Sequence, residues 1–497
     1  MWRAVRVRNG AGLPSPEPVT HVATKIVVVG GGVAGLSAAH RAVELARERG
    51  IALDLTLIEA RDRLGGTISS ERVDGFLVEA GPDSFLSEKP WALALCRRLG
   101  VEQRLVRTDD RFRKVFVWHR GRLHGLPDGF QLLAPTAVGP FVTSSLFSLS
   151  GKLRMALDLV LPRGGGDDES LGAFVRRRLG TEALERVAQP LVAGIYTADP
   201  DDLSLMATMP RFIDLERRER SIILGLRRAL RRAPLPGTSG ARWSLFVTFV
   251  EGMEELITTL ASALPPRAVV LKQRVGALER VGRRWRIATA EGARYDADHI
   301  IVATEAHAAA RLTRYLDPAL ATLLEEIAYA SAATVSLGYR REDVPHPLDG
   351  FGFIVPRIER KALLAATFSS VKYPGRAPAG HVLVRGFLGG ALGASTLAAD
   401  DDALLTVARR EFTEMLGITA EPVLSRLHRW PASMPQYRVG HLSRIETIEH
   451  ALAGLPGLTL AGAAYRGVGI ADCVRSGETA AERALADRDF CTRPKAP

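Results

Sequence analysis

Lysine is scarce in this 497-residue chain: eight of its 66 basic side chains are Lys and the rest are Arg. The formal charge of +11 would suit an anionic substrate, nucleic acid or an acidic lipid surface. Arg is preferred everywhere along the chain, however, which reads as a genome-wide bias, and nucleic acid is not an expected partner. Cysteine is also rare: Cys96, Cys473 and Cys491 form no CxxC pair, which excludes a disulfide framework or a self-sufficient zinc site and fits a reducing cytoplasm. The 11 histidines include no HxxxH pair, so no metal is expected, and His119, His124 and His441 read as surface or satisfied core residues. No stretch approaches the roughly 18 uninterrupted apolar residues of a membrane span. Residues 1–24 carry Arg3, Arg6 and Arg8 but no apolar h-region, so they read as a disordered extension or a misassigned start and not as a secretory signal.

What remains is a globular composition, 46% hydrophobic and 24% charged, in a chain too long for one core. Two or three domains are expected. "KIVVVGGGVAGLSAAHRAVELARERG" reads as a β-branched strand, a glycine turn and a helix, and "LDLTLIEA" supplies a second strand, together a β-α-β unit of a parallel sheet. From 91 to 236 helical segments are expected, broken by "GLPDGF", "LPRGGGDDES" and "RRAPLPGTSG". Strand patterns return up to Glu305, and 313–437 mixes helix and strand. The fold class is therefore α/β plus α+β, with a Rossmann-type domain assembled from 25–90, 237–312 and 438–489, a helical insertion over 91–236, and an α+β substrate domain over 313–437.

Gly30-x-Gly32-x-x-Gly35 has the form of a dinucleotide-binding turn. Gly30 permits the tight turn, Gly32 lets backbone N–H groups approach a pyrophosphate, and Gly35 allows close helix–strand packing. Val33 and Ala34 open the helix, whose N-terminus favours negative charge. Glu59, ending the second strand, is placed to accept hydrogen bonds from an adenosine ribose, with Ala60 beside it. Beyond it, Gly65 and Gly66 give a second close backbone approach, and Arg61 or Arg63 could face phosphate.

In the order acid, basic residues, Gly-Gly, the sequence resembles the flavin-dependent amine oxidase superfamily, although Thr67 stands where many relatives have Arg. "VEAGPDSFL" (78–86), "PLVAGIYTADPDDLSL" (190–205), "MPQYRVGH" (434–441) and "LAGAAYRGVGIADCVRSGE" (460–478) narrow the resemblance to the protoporphyrinogen oxidase family and its coproporphyrinogen-oxidising bacterial relatives, over about 25–486. The resemblance implies non-covalent FAD, with Gly462, Val468, Gly469 and Ile470 at the flavin, Gly81 and Pro82 in a loop beside it, and Val275 against adenine. It implies a tetrapyrrole substrate held by Gly194, Ile354 and Phe387, and molecular oxygen as acceptor. The family's propionate-binding Arg falls at Val115, so Arg113 and Lys114 become the candidate anchors. The expected activity is oxidation of protoporphyrinogen IX to protoporphyrin IX in heme biosynthesis, the alternatives being coproporphyrinogen III oxidation or a non-catalytic tetrapyrrole carrier. A cytoplasmic location is expected, with peripheral contact at the inner face of the cell membrane and a homodimer both admissible. "RSIILGLRRALRR" (220–232) fits either a helix lying on acidic lipid or an amphipathic helix with a solvated basic face.

Overall fold

A computed structural model describes residues 23–486 apart from 132, 165, 167 and 233–243. The expected extension, but for Ala23 and Thr24, and Cys491 lie outside the described residues. A parallel sheet of five strands forms the first layer, in the order 269–270, 53–58, 24–29, 299–302 and 458–460. Its central strands are runs such as Ile26-Val27-Val28-Val29, buried on both faces, as strands covered on two sides must be. Two helices lie together on one face, Val33–Glu48 and Ile470–Ala486. Leu36, Ala39, Val474 and Ala481 pack there against Ile26, Val28 and Leu57. Although they come from opposite ends of the chain, these helices meet at Gly477, where a side chain would collide with the Ala34 carbonyl.

A second, seven-stranded sheet has the order 424–435, 329–340, 381–389, 363–368, 352–354, 115–119 and 122–125. Its last two strands come from the segment expected to be helical. Val115–His119 pairs in parallel with Gly352–Ile354 and turns back into Arg122–Gly125. Leu105–Arg107 is a further strand of the same segment, pairing with Phe246–Phe249. These strands are short and carry Arg, His and Trp, so their alternation is too brief to stand out against helical neighbours.

Helices gather between 138 and 232 around Phe174, Val187 and Phe212, all fully buried. At their centre the Arg178 guanidinium pairs with the Asp158 carboxylate, both side chains wholly inaccessible. Asp158 also accepts from Ser221 Oγ at 2.6 Å and from the Ile223 N–H at 3.0 Å. That arrangement decides the reading of 220–232. Ile222, Ile223 and Leu226 are buried in this core while Arg228 and Arg231 face solvent, so the apolar side of the helix is not free to lie on lipid. On this helix Leu230 is exposed, and a denser set of exposed apolar residues of the segment lies at Val138, Val142, Leu149, Leu153, Leu157 and Val160.

Candidate cofactor and substrate site

The first glycine turn is built by exclusion at two positions and openness at a third. Gly30 has φ +108°, and a Cβ there would stand 2.7 Å from the Ala303 oxygen. A Cβ on Gly35 would stand 1.9 Å from the Gly30 oxygen. At Gly32, which caps the helix beginning with Val33, nothing lies within 4 Å of the same point, so the backbone is open to a ligand at a helix N-terminus. Gly65 pairs with Gly32 as an isolated bridge, and its N–H donates to the Gly31 oxygen at 2.8 Å.

Glu59 accepts from the Gly31 N–H at 2.7 Å through one oxygen and from the Arg61 N–H at 2.8 Å through the other. It therefore braces the turn, and each oxygen keeps a lone pair for a ribose hydroxyl. Arg63 donates to the Gly66 oxygen at 2.7 Å and Arg61 to the same oxygen at 3.3 Å, so both arginines fasten the second glycine turn. Ala60 is exposed beside them. Val275 begins a strand just after Gln273, whose N–H donates to the Glu59 oxygen at 3.0 Å, placing it at the same end of the turn.

The late loop arrives against this site. Gly462 has φ +123° and donates to Ser476 Oγ at 3.0 Å, and Ile470 opens the closing helix. Asp472 in its first turn accepts from the Gly469 N–H at 3.3 Å and pairs with Lys89 at 2.6 Å. The "MPQYRVGH" residues hold the loop from outside. Tyr437 Oη donates to the Ala463 oxygen at 2.5 Å and accepts from the Gly467 N–H at 2.7 Å. The Tyr437 ring stacks on His441 at 3.9 Å. His441 is wholly buried, with Nε2 2.9 Å from the Tyr465 oxygen, and burial pulls its pKa down to about 4, so the ring is neutral and donates there. Cys473 is buried on the closing helix, as its small apolar size suggests.

Register brings the expected substrate residues together. Ile354 stands opposite Ala365, and Ala365 opposite Phe387 on the next strand. A Cβ on Gly194 would lie 3.8 Å from that of Ala365, so the helix end covers the middle of the row. Phe387 and Val468 are half-buried against the same apolar core. Arg113 and Lys114 do not join them. Their side chains are 64% and 62% exposed and pair with Asp110 at 3.7 Å and Asp349 at 3.1 Å. In an Arg-rich chain, nearness in sequence to an expected position is a weak guide, and surface carboxylates claim these two cations.

Sequence reasoning missed three features. A cavity of about 490 Å³ opens beside Tyr329, Ser331, Gln436 and Tyr437. A Cβ on Gly31 would stand 2.5 Å from the end of the Leu64 side chain and 3.1 Å from Glu59 Cβ, so a side chain there would displace Leu64. Two cations, Arg376 and Arg385, are buried at 2% and 3% exposure, the first against Thr248 and Phe249 and the second against the Ala80 and Gly81 carbonyls. No local pattern marks them.

Residues 33–485 match the profile of the flavin containing amine oxidoreductases. The chain belongs to that family. This flavin-dependent oxidoreductase is 36% identical to the coproporphyrinogen III oxidase of Bacillus subtilis (strain 168), covering 93% of this chain and 97% of the relative. It is 33% identical to the protoporphyrinogen oxidase of Bos taurus, covering 93% and 98%. A crystal structure from Exiguobacterium sp. 255-15, provisionally described as a protoporphyrinogen oxidase, superposes with TM-score 0.82 at 31% identity, covering 94% of this chain and 99% of that one. Reduced UDP-galactopyranose mutase shares the fold alone, with TM-score 0.70 at 16% identity over 93% and 96% of the two chains. The oxidoreductase has the Rossmann-type FAD-binding fold expected from its sequence, and its cofactor is FAD. The open backbone at Gly32 and the helix behind it fit the pyrophosphate of that group.

Proposed function

We propose that this protein oxidises a porphyrinogen to a porphyrin in heme biosynthesis, with coproporphyrinogen III favoured over protoporphyrinogen IX. The observation that carries the reading is the row Ile354, Ala365 and Phe387, covered by Gly194 and adjoining Val468 of the late loop. An aliphatic and an aromatic side chain flank a small residue there, a surface suited to a flexible, non-planar macrocycle whose pyrroles are held by apolar area and ring contact. Bound FAD supplies a two-electron acceptor for oxidation at carbon. The residues' part is to hold the reacting C–H against it and to exclude water, which needs no metal and no strong acid or base. The preference for the coproporphyrinogen rests on two relatives of that name, at 36% and 35% identity, exceeding the 33% of the Bos taurus protoporphyrinogen oxidase, while a third lies at 32%.

In this reading Gly32, Val33 and Ala34 hold the pyrophosphate, Glu59 the ribose, Val275 the adenine side, and Gly81, Pro82 and Val468 to Ile470 the ring system. Three two-electron oxidations remove six hydrogens, and three O2 molecules leave as peroxide. Among the described residues no helix is long and apolar enough to cross a membrane. Peripheral contact, if made, is assigned to the exposed apolar residues between Val138 and Val160.

Initial peroxide production with coproporphyrinogen III and protoporphyrinogen IX, side by side, tests the substrate. Faster turnover of the second would reverse the preference. Anaerobic mixing tests catalysis itself, because an enzyme bleaches its flavin and a carrier does not.

A further inference from the structure

The seven-stranded sheet turns one face toward the flavin-side loops, and its register fixes which side chains share that face. Thr334 stands opposite Phe387 on one neighbour and His428 on the other, Ser336 opposite Arg385 and Arg426, and Ala332 opposite Trp430. Side chains two apart on a strand point the same way, so Arg385, Phe387, Thr334, His428 and Trp430 line a single surface. Three of them converge on one carbonyl. Trp430 Nε1 at 2.8 Å, Thr334 Oγ1 at 2.9 Å and Arg385 Nη2 at 3.3 Å all donate to the Ala80 oxygen. The same Arg385 nitrogen donates to the Gly81 oxygen.

Gly81 is in turn pressed onto the second glycine turn, since a Cβ there would stand 1.8 Å from the Thr67 oxygen. A continuous path of contacts thus runs from the substrate face through Arg385 and Gly81 to the turn facing Gly32. Arg385 is more than nine-tenths buried, its Nε has no hydrogen-bond partner among the described residues, and its guanidinium lies 4.9 Å from the centre of the Phe387 ring. Leaving a buried donor unpaired is costly, which points to a use for the charge that the sheet itself does not supply. Its countercharge is offset to one side: Asp83 pairs with Lys372 at 3.1 Å, and Glu79 faces Arg376 at 3.8 Å. In surroundings of low dielectric, such a fixed cation favours the gain of negative charge by a neighbouring group.

We propose that Arg385 is a positioning residue of the FAD site, fixing the Ala80–Gly81 turn and biasing the bound flavin toward its reduced, negatively charged form. The proposal rests on the reading that Gly81 and Pro82 border the flavin, and on nothing about the substrate. Asp83 acts in the opposite sense.

The test is the midpoint potential of the FAD-loaded protein, measured by equilibration with a redox dye at one pH, for wild type, Arg385→Lys, Arg385→Met and Asp83→Asn. Arg385→Met should lower the reduced-to-oxidised ratio at fixed dye potential by about tenfold, equivalent to about 30 mV for a two-electron couple. Arg385→Lys should stay near wild type, and Asp83→Asn should shift the ratio the other way. A purely structural brace would change the melting temperature or FAD content and leave the potential of the loaded fraction unchanged. Equal potentials in all four proteins would overturn the proposal. Where Arg385→Met does not fold, Arg385→Gln, which can still donate to the Ala80 and Gly81 oxygens but carries no charge, decides it: the same fall in the ratio is expected, and an unchanged potential would overturn the proposal. Porphyrinogen takes no part in the measurement, so a wrong substrate would show separately, as normal potentials with no anaerobic bleaching.

Discussion

Gly477 lies so close to Ala34 that a methyl group on its α-carbon would stand 2.1 Å from the Ala34 oxygen. The contact joins the helix of the first glycine turn to the helix of the late loop, so it sets how closely the two can approach. Gly477→Ala should force the helices apart, costing about 1–3 kcal/mol by overpacking, and lower FAD content and melting temperature together. Unchanged values of both would show that the helices do not need this approach.

Gly32 and Gly35 should fail differently. A Cβ on Gly32 meets nothing within 4 Å, whereas one on Gly35 meets the Gly30 oxygen at 1.9 Å. Gly32→Val is expected to give folded but colourless protein, detected by a cooperative melt with no flavin absorbance in the visible spectrum. Gly35→Val should not yield folded protein. Stoichiometric FAD in Gly32→Val would remove the pyrophosphate from this turn.

Phe387→Ala tests the substrate face. Losing this half-buried ring should leave FAD bound and lower kcat/KM for porphyrinogen by roughly tenfold to a hundredfold, the value of about 1.5–3 kcal/mol of aromatic contact. Unaltered steady-state kinetics would move the substrate elsewhere.

Arg178 tests the helical core. Arg178→Met leaves Asp158 charged and buried with only Ser221 and the Ile223 N–H as partners, and should cost about 3–5 kcal/mol in denaturant unfolding. A loss below roughly 1 kcal/mol, the value of an exposed pair, would contradict its burial.

Glu79 makes stability depend on pH. Burial pushes its carboxyl up to about 7, against the hydrogen bond from Ser70 and the charge of Arg376. Below the unfolded-state pKa both states hold the proton and the group has no pH-dependent effect. Between that point and about 7 the unfolded chain releases its proton first, so stability falls as pH rises, by on the order of 3 kcal/mol in total. Glu79→Gln should flatten this part of the stability profile, between the ordinary carboxyl range of about pH 4.5 and about pH 7, the window that the raised carboxyl sets. An identical slope in wild type and variant would show that Glu79 ionises normally.

The first glycine turn was legible because its determinants are local: Gly30, Gly32, Gly35 and Glu59 lie within one β-α-β unit whose hydrophobic pattern is unambiguous. The row of Ile354 and Phe387 could be named only by resemblance, since their juxtaposition through Ala365 is a matter of strand register. Arg385 was invisible for a plainer reason. Its contact with Gly81 spans 304 positions, and in a chain with so many arginines nothing nearby distinguishes a buried one. The strands at 115–119 and 122–125 were read as part of a helical stretch because each is too short to establish a period. Their partners, at 352–354 and beyond, supply the order that their own sequence does not.

The edge strand Leu458–Leu460 pairs with His299–Val302 and leads directly into the late loop. Synthesis proceeds from the N-terminus, so a ribosome finishes the first glycine turn early and the late loop that packs behind it hundreds of codons later. A nascent chain must therefore keep its half-built sheet soluble, with the side of His299–Val302 unclaimed, until almost the whole message has been read. Chains halted before that strand lack both the sheet's last edge and the helix that packs on Val33–Glu48, and should be substrates for chaperones and proteases instead of slow but functional holoenzyme.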